Sequence, residues 1–551
     1  MSERWRTSGR AGLLFAAFVA ALGLSAQTLA QDTSVVSGAS QAIQARTTAP
    51  ISPTAAPMVP GAHALTAAER ARVAYWSLRL PLRGPDPRRA AGPLAPPAPS
   101  TATVVDGPKP MALGTLQLRQ DVSILPAIPA GRSSSNNEPS VAMSGRNRFQ
   151  TGNWYAAFSN NGGTAWQHLS PFTTFPAIDG GFCCNQDVIH DPSRNVFFWV
   201  LQYGKSGSTA DSTGGIRLVR FNEGSNSFTI ASWTNTYVLH PSDFGGPATG
   251  EWFDDPHLAI GQDYLYLAIN VFTTTTDTWA RSIFARFPLD QTAFGAAVVL
   301  GYINSPNRFN FTPVQGAKEV MYWATHVSGS LIQILRWPEN SNIVTAFNRN
   351  VHAWLTGGVH NCPGPDGNNW CGSADNRIIA GALGRKGLTR QHELWFFWNV
   401  REGGGFPLPY IDAARFRESD LAYVKRPFIW SPTTAYHYIG AAPNQRGDLG
   451  ISVAFGSTDT HVSSMVCAED DFSIDPPGWT SCLTVRTGAH GPASQHWGDF
   501  LRVRPAHPAD NNWVATGFTL QSGPGTGNTE PRHIVFGRQR DAFEFHRWYT
   551  R

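Results

Sequence analysis

One pattern recurs along this chain. A residue that is usually a carboxylate leads a short alternating apolar run, a tight turn follows, and a second alternating run returns. It is first seen at Glu138-Pro139-Ser140-Val141-Ala142-Met143-Ser144, which turns at Gly145-Arg146-Asn147 into residues 149–154. It returns at Asp255-Pro256-His257-Leu258-Ala259-Ile260-Gly261, which turns at Gln262-Asp263 into residues 264–268. Period-two alternation on both sides of a tight turn is a β-hairpin. Further copies start at Asp187, Asn310, Asp375, Tyr436 and Asp499. The intervals of roughly 50–70 residues leave room for four strands in each unit. The pattern predicts an all-β fold, a β-propeller of four-stranded blades. The hairpins predict seven blades, with six as the alternative because the units at Asn310 and Tyr436 are degenerate. A β-sandwich would need shorter and more even spacing.

Composition agrees with that fold class. Only 15% of the 551 residues are charged, whereas there are 53 Gly, 19 Trp and 32 Phe. Such a chain is rich in turn and strand formers. The formal net charge of +4 is scattered, with no Lys/Arg run, so a nucleic-acid partner has no electrostatic footprint. Arg4, Arg6 and Arg10 precede an apolar run over 11–26 and small residues up to Ala30. This reads as a signal peptide over 1–30, with no membrane span after cleavage and a secreted or periplasmic product. Residues 31–115 form a low-complexity Ala/Pro-rich segment. Within it, Thr66-Ala67-Ala68-Glu69 reads as a capping box that starts a helix over about 66–80. The propeller domain is expected over 116–551, as a monomer. An even count of six cysteines in an exported chain points to disulfides. Cys362 with Cys371 and Cys467 with Cys482 bracket short turn-rich loops and are the expected local bridges. Cys183-Cys184 could form a vicinal disulfide or remain two thiols.

The stretch Ser159-Asn160-Asn161-Gly162-Gly163-Thr164-Ala165-Trp166 has fixed-spacing turn chemistry. It resembles the Asp-box of sialidase-like, BNR-repeat propellers, which reads S-x-D-x-G-x-T-W. Ser159, Gly163 and Trp166 match, while Asn161 stands at the Asp position. The resemblance implies a structural turn away from the active site. Sialidases also begin with Phe/Tyr-Arg-Ile-Pro, which Pro129-Ala130-Gly131-Arg132 does not match.

The resemblance implies that the leading ends of the innermost strands surround the mouth of a central channel that holds the active site. Carboxylates converging there raise one another's pKa and can place a protonated acid beside an ionised base, as glycoside hydrolysis requires. The candidate catalytic residues are Asp255, Asp254, Asp187, Asp375 and Glu138. The candidate substrate-binding residues are Arg377, His257, His496, Asp499 and Trp252, with Arg377 placed to bind an acidic sugar. Trp252, Trp370 and Trp497 lie in loops near the acids and could stack on sugars. Each acid has a structural reading too, as an acceptor for a neighbouring blade's backbone. The expected function is hydrolysis of glycosidic bonds in an extracellular polysaccharide or glycoconjugate. The alternatives are a non-catalytic glycan- or protein-binding propeller and a polysaccharide lyase with His257 or His496 as base. No cofactor or dedicated metal ligand set is expected, although the acid ring could hold Ca²⁺ through oxygen ligands.

Overall fold

The computed structural model describes residues 41–44, 46–47, 65–77, 79, 82–85, 87 and 114–549, apart from 223–232, 387–390, 474–478 and 480. The expected signal segment 1–30 lies outside the described residues, as do residues 88–113 of the low-complexity segment.

The fold is all-β. Its innermost strands, labelled in chain order, are β1 (Ser140–Ser144), β2 (Phe182–Asp191), β3 (Glu251–Ile260), β4 (Thr312–Gln315), β5 (Ile378–Lys386), β6 (Ala435–Pro443) and β7 (Val503–Pro505). Each opens an antiparallel meander of four strands that runs outward. Successive inner strands touch, and β7 touches β1, so the ring closes around a central channel. Between β4 and β5 the contact becomes parallel pairing, Val314 with Gly381 and Gln315 with Ala382, which joins two meanders into one sheet. The leading residues expected from the hairpin pattern fall in or just before these strands. Glu138, Asn310, Asp375 and Asp499 come just before β1, β4, β5 and β7, while Asp187, Asp255 and Tyr436 lie within β2, β3 and β6.

The ring is closed by strands from both ends of the domain, with residues 533–536 in the last meander. Those residues belong to Thr529–Arg538, the third strand of the last meander. Its outer neighbour is Leu116–Ser123, supplied by the N-terminal side of the domain.

Alternation explains the core. Trp199, Trp323, Trp395 and Trp398 point between sheets and are buried. Trp323 meets Tyr266 of the preceding meander edge-on, with centroids 5.3 Å apart. The Ser159–Trp166 turn is held by its own side chains, since Asn161 Oδ1 accepts from the Ala165 amide (2.9 Å) and Trp166 Nε1 donates to the Gly163 carbonyl (3.1 Å). Cys467 and Cys482 face each other across paired strands and are bonded, Cys362 is bonded to Cys371, and Cys183 to Cys184.

A repeated clamp ties each leading end to the meander before it. Amide side chains on second strands accept the backbone N–H at the next inner strand's mouth. Gln202 accepts from Asp255 (3.2 Å), Asn270 from Asn310 (3.2 Å) and Asn399 from Tyr438 (3.0 Å). Those recipients, with Glu138, have φ of 58°, 52°, 58° and 43°, in the left-handed region that L-residues seldom occupy. The pairing register shifts beside Asp255 and beside Tyr438, so the chain bulges there and turns a side chain toward the axis.

Before the ring, Ala67–Ser77 forms helix α1. Thr66 Oγ1 accepts from the Glu69 amide and Glu69 Oε2 accepts from the Thr66 amide, the reciprocal pair of a capping box. Among the described residues no helix is long and apolar enough to cross a membrane.

Asn270 also donates to Asn310 Oδ1 (3.0 Å) and accepts from Ser282 Oγ (2.7 Å), all buried. The variant Asn270→Ala is expected to lose about 1–3 kcal/mol of stability for each buried donor left unpaired. Denaturant titration measures it, and an unchanged midpoint would show that the clamp contributes nothing. Replacing Cys467 and Cys482 together by alanine is expected to lower stability by about 2–4 kcal/mol in the same assay.

Candidate active site

The clamped leading ends deliver acids to one place. Glu138 arrives from the approach to β1, Asp254 and Asp255 from the bulge in β3, Asp375 from the approach to β5 and Asp499 from the approach to β7. Arg377 sits at their centre. Its Nη1 donates to Asp255 Oδ2 (2.9 Å) and lies 3.6 Å from Asp499 Oδ2. Its Nε and Nη2 grip Asp375 at 3.0 and 2.8 Å, and Nη2 also donates to the Leu82 carbonyl at 2.8 Å. Its ring neighbour is Phe309, 5.1 Å from the guanidinium carbon.

One guanidinium cannot balance this many carboxylates, and the acids diverge in proton affinity. Burial would raise Asp255, but His257, Arg377 and Arg502 outweigh it and hold this carboxyl well below the ordinary range. Nε2 of His257 lies 3.0 Å from Asp255 Oδ1, and Arg502 donates to Nδ1 of the same ring. With Arg502 on Nδ1, the imidazole proton sits on Nε2 and faces Asp255. Asp254 is pushed up to about 7 by burial and by the charge of Asp255, while Gln202 donates to its Oδ1 at 3.0 Å. Glu138 is raised well above the usual range by burial and by Asp499, Asp255 and Asp254. Burial also raises Asp499, with Asp375, Asp255 and Asp254 acting against Arg377. Asn185 donates to Glu138 Oε2 at 2.6 Å. The mouth therefore holds Asp255 firmly ionised, while burial and neighbouring charge favour the protonated forms of Asp254, Glu138 and Asp499.

Asp187 lies apart from this group. It accepts from Ser140 Oγ (2.6 Å), from the Leu258 amide of β3 (2.8 Å) and from Arg504 (3.1 Å), and Arg502 Nε is 3.4 Å away. Burial would raise it, but Arg502, Arg504 and the two hydrogen bonds lower it. Its geometry is that of an acid bracing two inner strands. His496 lines a separate cavity of about 570 Å³ beneath α1, with Ser134, Ser135 and Asn136. Trp252 lies in β3, fully buried beneath Trp76, and Trp370 and Trp497 are likewise buried. Asn185, Gln202 and Arg502 belong to the site although the hairpin pattern did not single them out. Only Arg502, one turn of alternation from Arg504 beside β7, carried any sequence signal.

Among the described residues two further groups place three possible metal ligands together. In one, Asp448, Asp470 and Asp471 are held by Arg446, Arg538 and Arg540. In the other, the thiols of Cys362 and Cys371 form a disulfide beside His437.

The architecture is that of a propeller, with acids gathered at one end of its channel. No family model matches the chain, and no curated protein does. Solved structures with similar architecture include sialidases. A Trypanosoma rangeli sialidase in complex with sialic acid is 11% identical, with a TM-score of 0.34, over 69% of this chain and 57% of that one. A sialidase from Streptococcus pneumoniae is 10% identical, with a TM-score of 0.32, over 75% and 70%. An α-L-arabinofuranosidase from Fusarium graminearum is 8% identical, with a TM-score of 0.34, over 74% and 94%.

Asp254 sets a test of the electrostatics. Its folded pKa of about 7 exceeds the unfolded value of about 3.9. Between those values the folded state holds the extra proton, so stability falls as pH rises, by at most about 1.4 kcal/mol per pH unit. Unfolding titrations from pH 4 to 7 should show that decline, and Asp254→Asn should flatten it. A decline of equal slope in the variant would assign it to another group.

Proposed function

We propose that this chain is an exported, seven-bladed glycan hydrolase, one blade to each meander. The observation that carries this reading is the divergence at the mouth, with Asp255 ionised beside Asp254, Glu138 and Asp499, which keep protons. Splitting a glycosidic bond needs such a pair, one carboxyl to protonate the leaving oxygen and one carboxylate to attack the sugar carbon or activate water. Asp254 is the proton donor, because a group near 7 both holds and releases its proton at neutral pH. Asp255 is the ionised partner, aimed by His257 and Arg377. Asp375 orients Arg377, and Glu138 and Asp499 surround the pair.

The other readings fit this geometry less well. A lyase needs a free base, whereas Nδ1 of His257 takes the Arg502 guanidinium and its Nε2 lies 3.0 Å from Asp255 Oδ1. A Ca²⁺ among the acids would need the position that Arg377 occupies. An acidic sugar would find most of the Arg377 donors already taken by Asp255 and Asp375, so a neutral glycan suits the site better.

A panel of aryl glycosides and polysaccharides, scored for released reducing sugar, tests the proposal. Asp255→Asn should lower turnover by roughly two or more orders of magnitude while remaining folded. In the parent chain kcat/KM should fall above pH 7 as Asp254 loses its proton, and Asp254→Asn should remove that limb. Full turnover in a folded Asp255→Asn protein would exclude this residue from the mechanism.

A further inference from the structure

The acids are walled off from above. At the opposite end of the channel lies a cavity of about 640 Å³, lined by the hairpin turns and by Ile189, Ile260 and Leu383. None of Glu138, Asp254, Asp255, Asp375 or Asp499 lines it, and none of the five lines the cavity of about 570 Å³ beneath α1. The cavity that reaches Asp375 and Arg377 holds about 180 Å³, below the roughly 300–1,000 Å³ usual for a small-molecule site. What fills the space is the chain itself.

Helix α1 and residues 82–85 cross the acid end from the first meander toward the fifth. Asn136 donates to the Ser77 carbonyl at 3.3 Å, near β1. Trp76 is buried against Trp252 at the start of β3, with ring centroids 5.0 Å apart. Arg79 pairs with Asp277 at 3.1 Å. A Cβ on Gly84 would lie 2.1 Å from the Phe309 ring, so the backbone passes directly over that side chain. Arg83 donates to the Gly372 carbonyl at 3.3 Å. Between these contacts the Leu82 carbonyl accepts from Nη2 of Arg377. A carbonyl oxygen thus takes a donor at the centre of the acids, and an aromatic ring covers Trp252, the kind of side chain that stacks on a sugar face.

We propose that this strap is an internal occupant of the substrate cleft. On this view Leu82 holds the place of a glycan oxygen on Arg377, Trp76 holds the place of a sugar ring on Trp252, and the form with the strap lifted is the active one. The inference rests on the glycan-hydrolase reading and adds its regulation and two subsites. The strap is suited to leave. An eleven-residue helix is marginal on its own, so the strap holds only through its seat: Leu65, Trp76 and Leu82 buried against the core, the Arg79–Asp277 pair, and side-chain contacts to carbonyls. Arg377 Nη2 and the face of Trp252 become available together when it lifts.

The test compares the full chain with its Trp76→Ala variant, which removes the ring from Trp252 and changes no residue of the acid cluster. Hydrogen exchange over residues 67–77 reports whether the strap has lifted, and the glycoside panel reports kcat/KM. Faster exchange with a rise in kcat/KM of about tenfold or more is expected, because activity follows the fraction of open chain. A synthetic peptide of residues 65–87 should then inhibit the variant. Should Trp76→Ala leave exchange unchanged, the double variant Arg79→Ala, Arg83→Ala is read in the same way. A lifted strap with unaltered kcat/KM would overturn the occupant proposal and leave the hydrolase reading standing. A lifted strap with no glycan turned over by either form would overturn the hydrolase reading, and this inference with it.

Discussion

Arg377 is the interaction on which the mouth of this ring depends. Inner strands that converge on one axis bring their leading side chains together, and here those side chains are mostly carboxylates. Removing like charges from water is costly unless a counter-charge is present. Although burial works against its charge, Asp375, Asp499 and Asp255 hold Arg377 protonated. It reaches three of the acids directly. Arg377, with Arg502 and His257 behind Asp255, offsets only part of the set, and burial raises the proton affinity of Asp254, Glu138 and Asp499. The asymmetry among the acids therefore follows from how unevenly the positive groups are shared among them.

The second constraint is conformational. Glu138, Asp255, Asn310 and Tyr438 all adopt left-handed backbone at corresponding places in their meanders. Such residues cost free energy and persist only where the surroundings over-determine them. Gln202, Asn270 and Asn399 provide that surrounding from the neighbouring meander. Local strain and packing between meanders are thus one device, which fixes the acids in place.

The parts of this structure legible in the sequence are those made locally. Hairpin alternation marks the inner strands because Glu138, Asp187 and Asp255 each stand next to the run they lead. Cys467 and Cys482 announce a bridge because their loop is short, and Thr66 and Glu69 announce a helix start because a capping box spans four residues. What escaped was tertiary. Nothing beside Asp187 in the chain indicates that Arg502 and Arg504 will meet it, because those residues come from the far end of the domain. Nor does the low-complexity character of residues 31–115 reveal that Leu82 will reach Arg377. The closing pair, Leu116–Ser123 with Thr529–Arg538, is illegible for the same reason, since pairing between remote segments leaves no periodic trace in either one.

That closing strand has a temporal consequence. Leu116–Ser123 completes the last sheet by pairing with Thr529–Arg538, and Arg532 bonds Asp121 across 411 positions of sequence. The chain emerges from the ribosome N-terminus first, at about 5–20 residues per second. The strand therefore waits on the order of 20–80 s for its partner. Throughout that time its hydrogen-bonding edge is exposed, and open edges invite pairing with other chains. The ring is thus sealed by the first strand of the domain to be made and nearly the last, and the molecule is most vulnerable to aggregation in the interval between them.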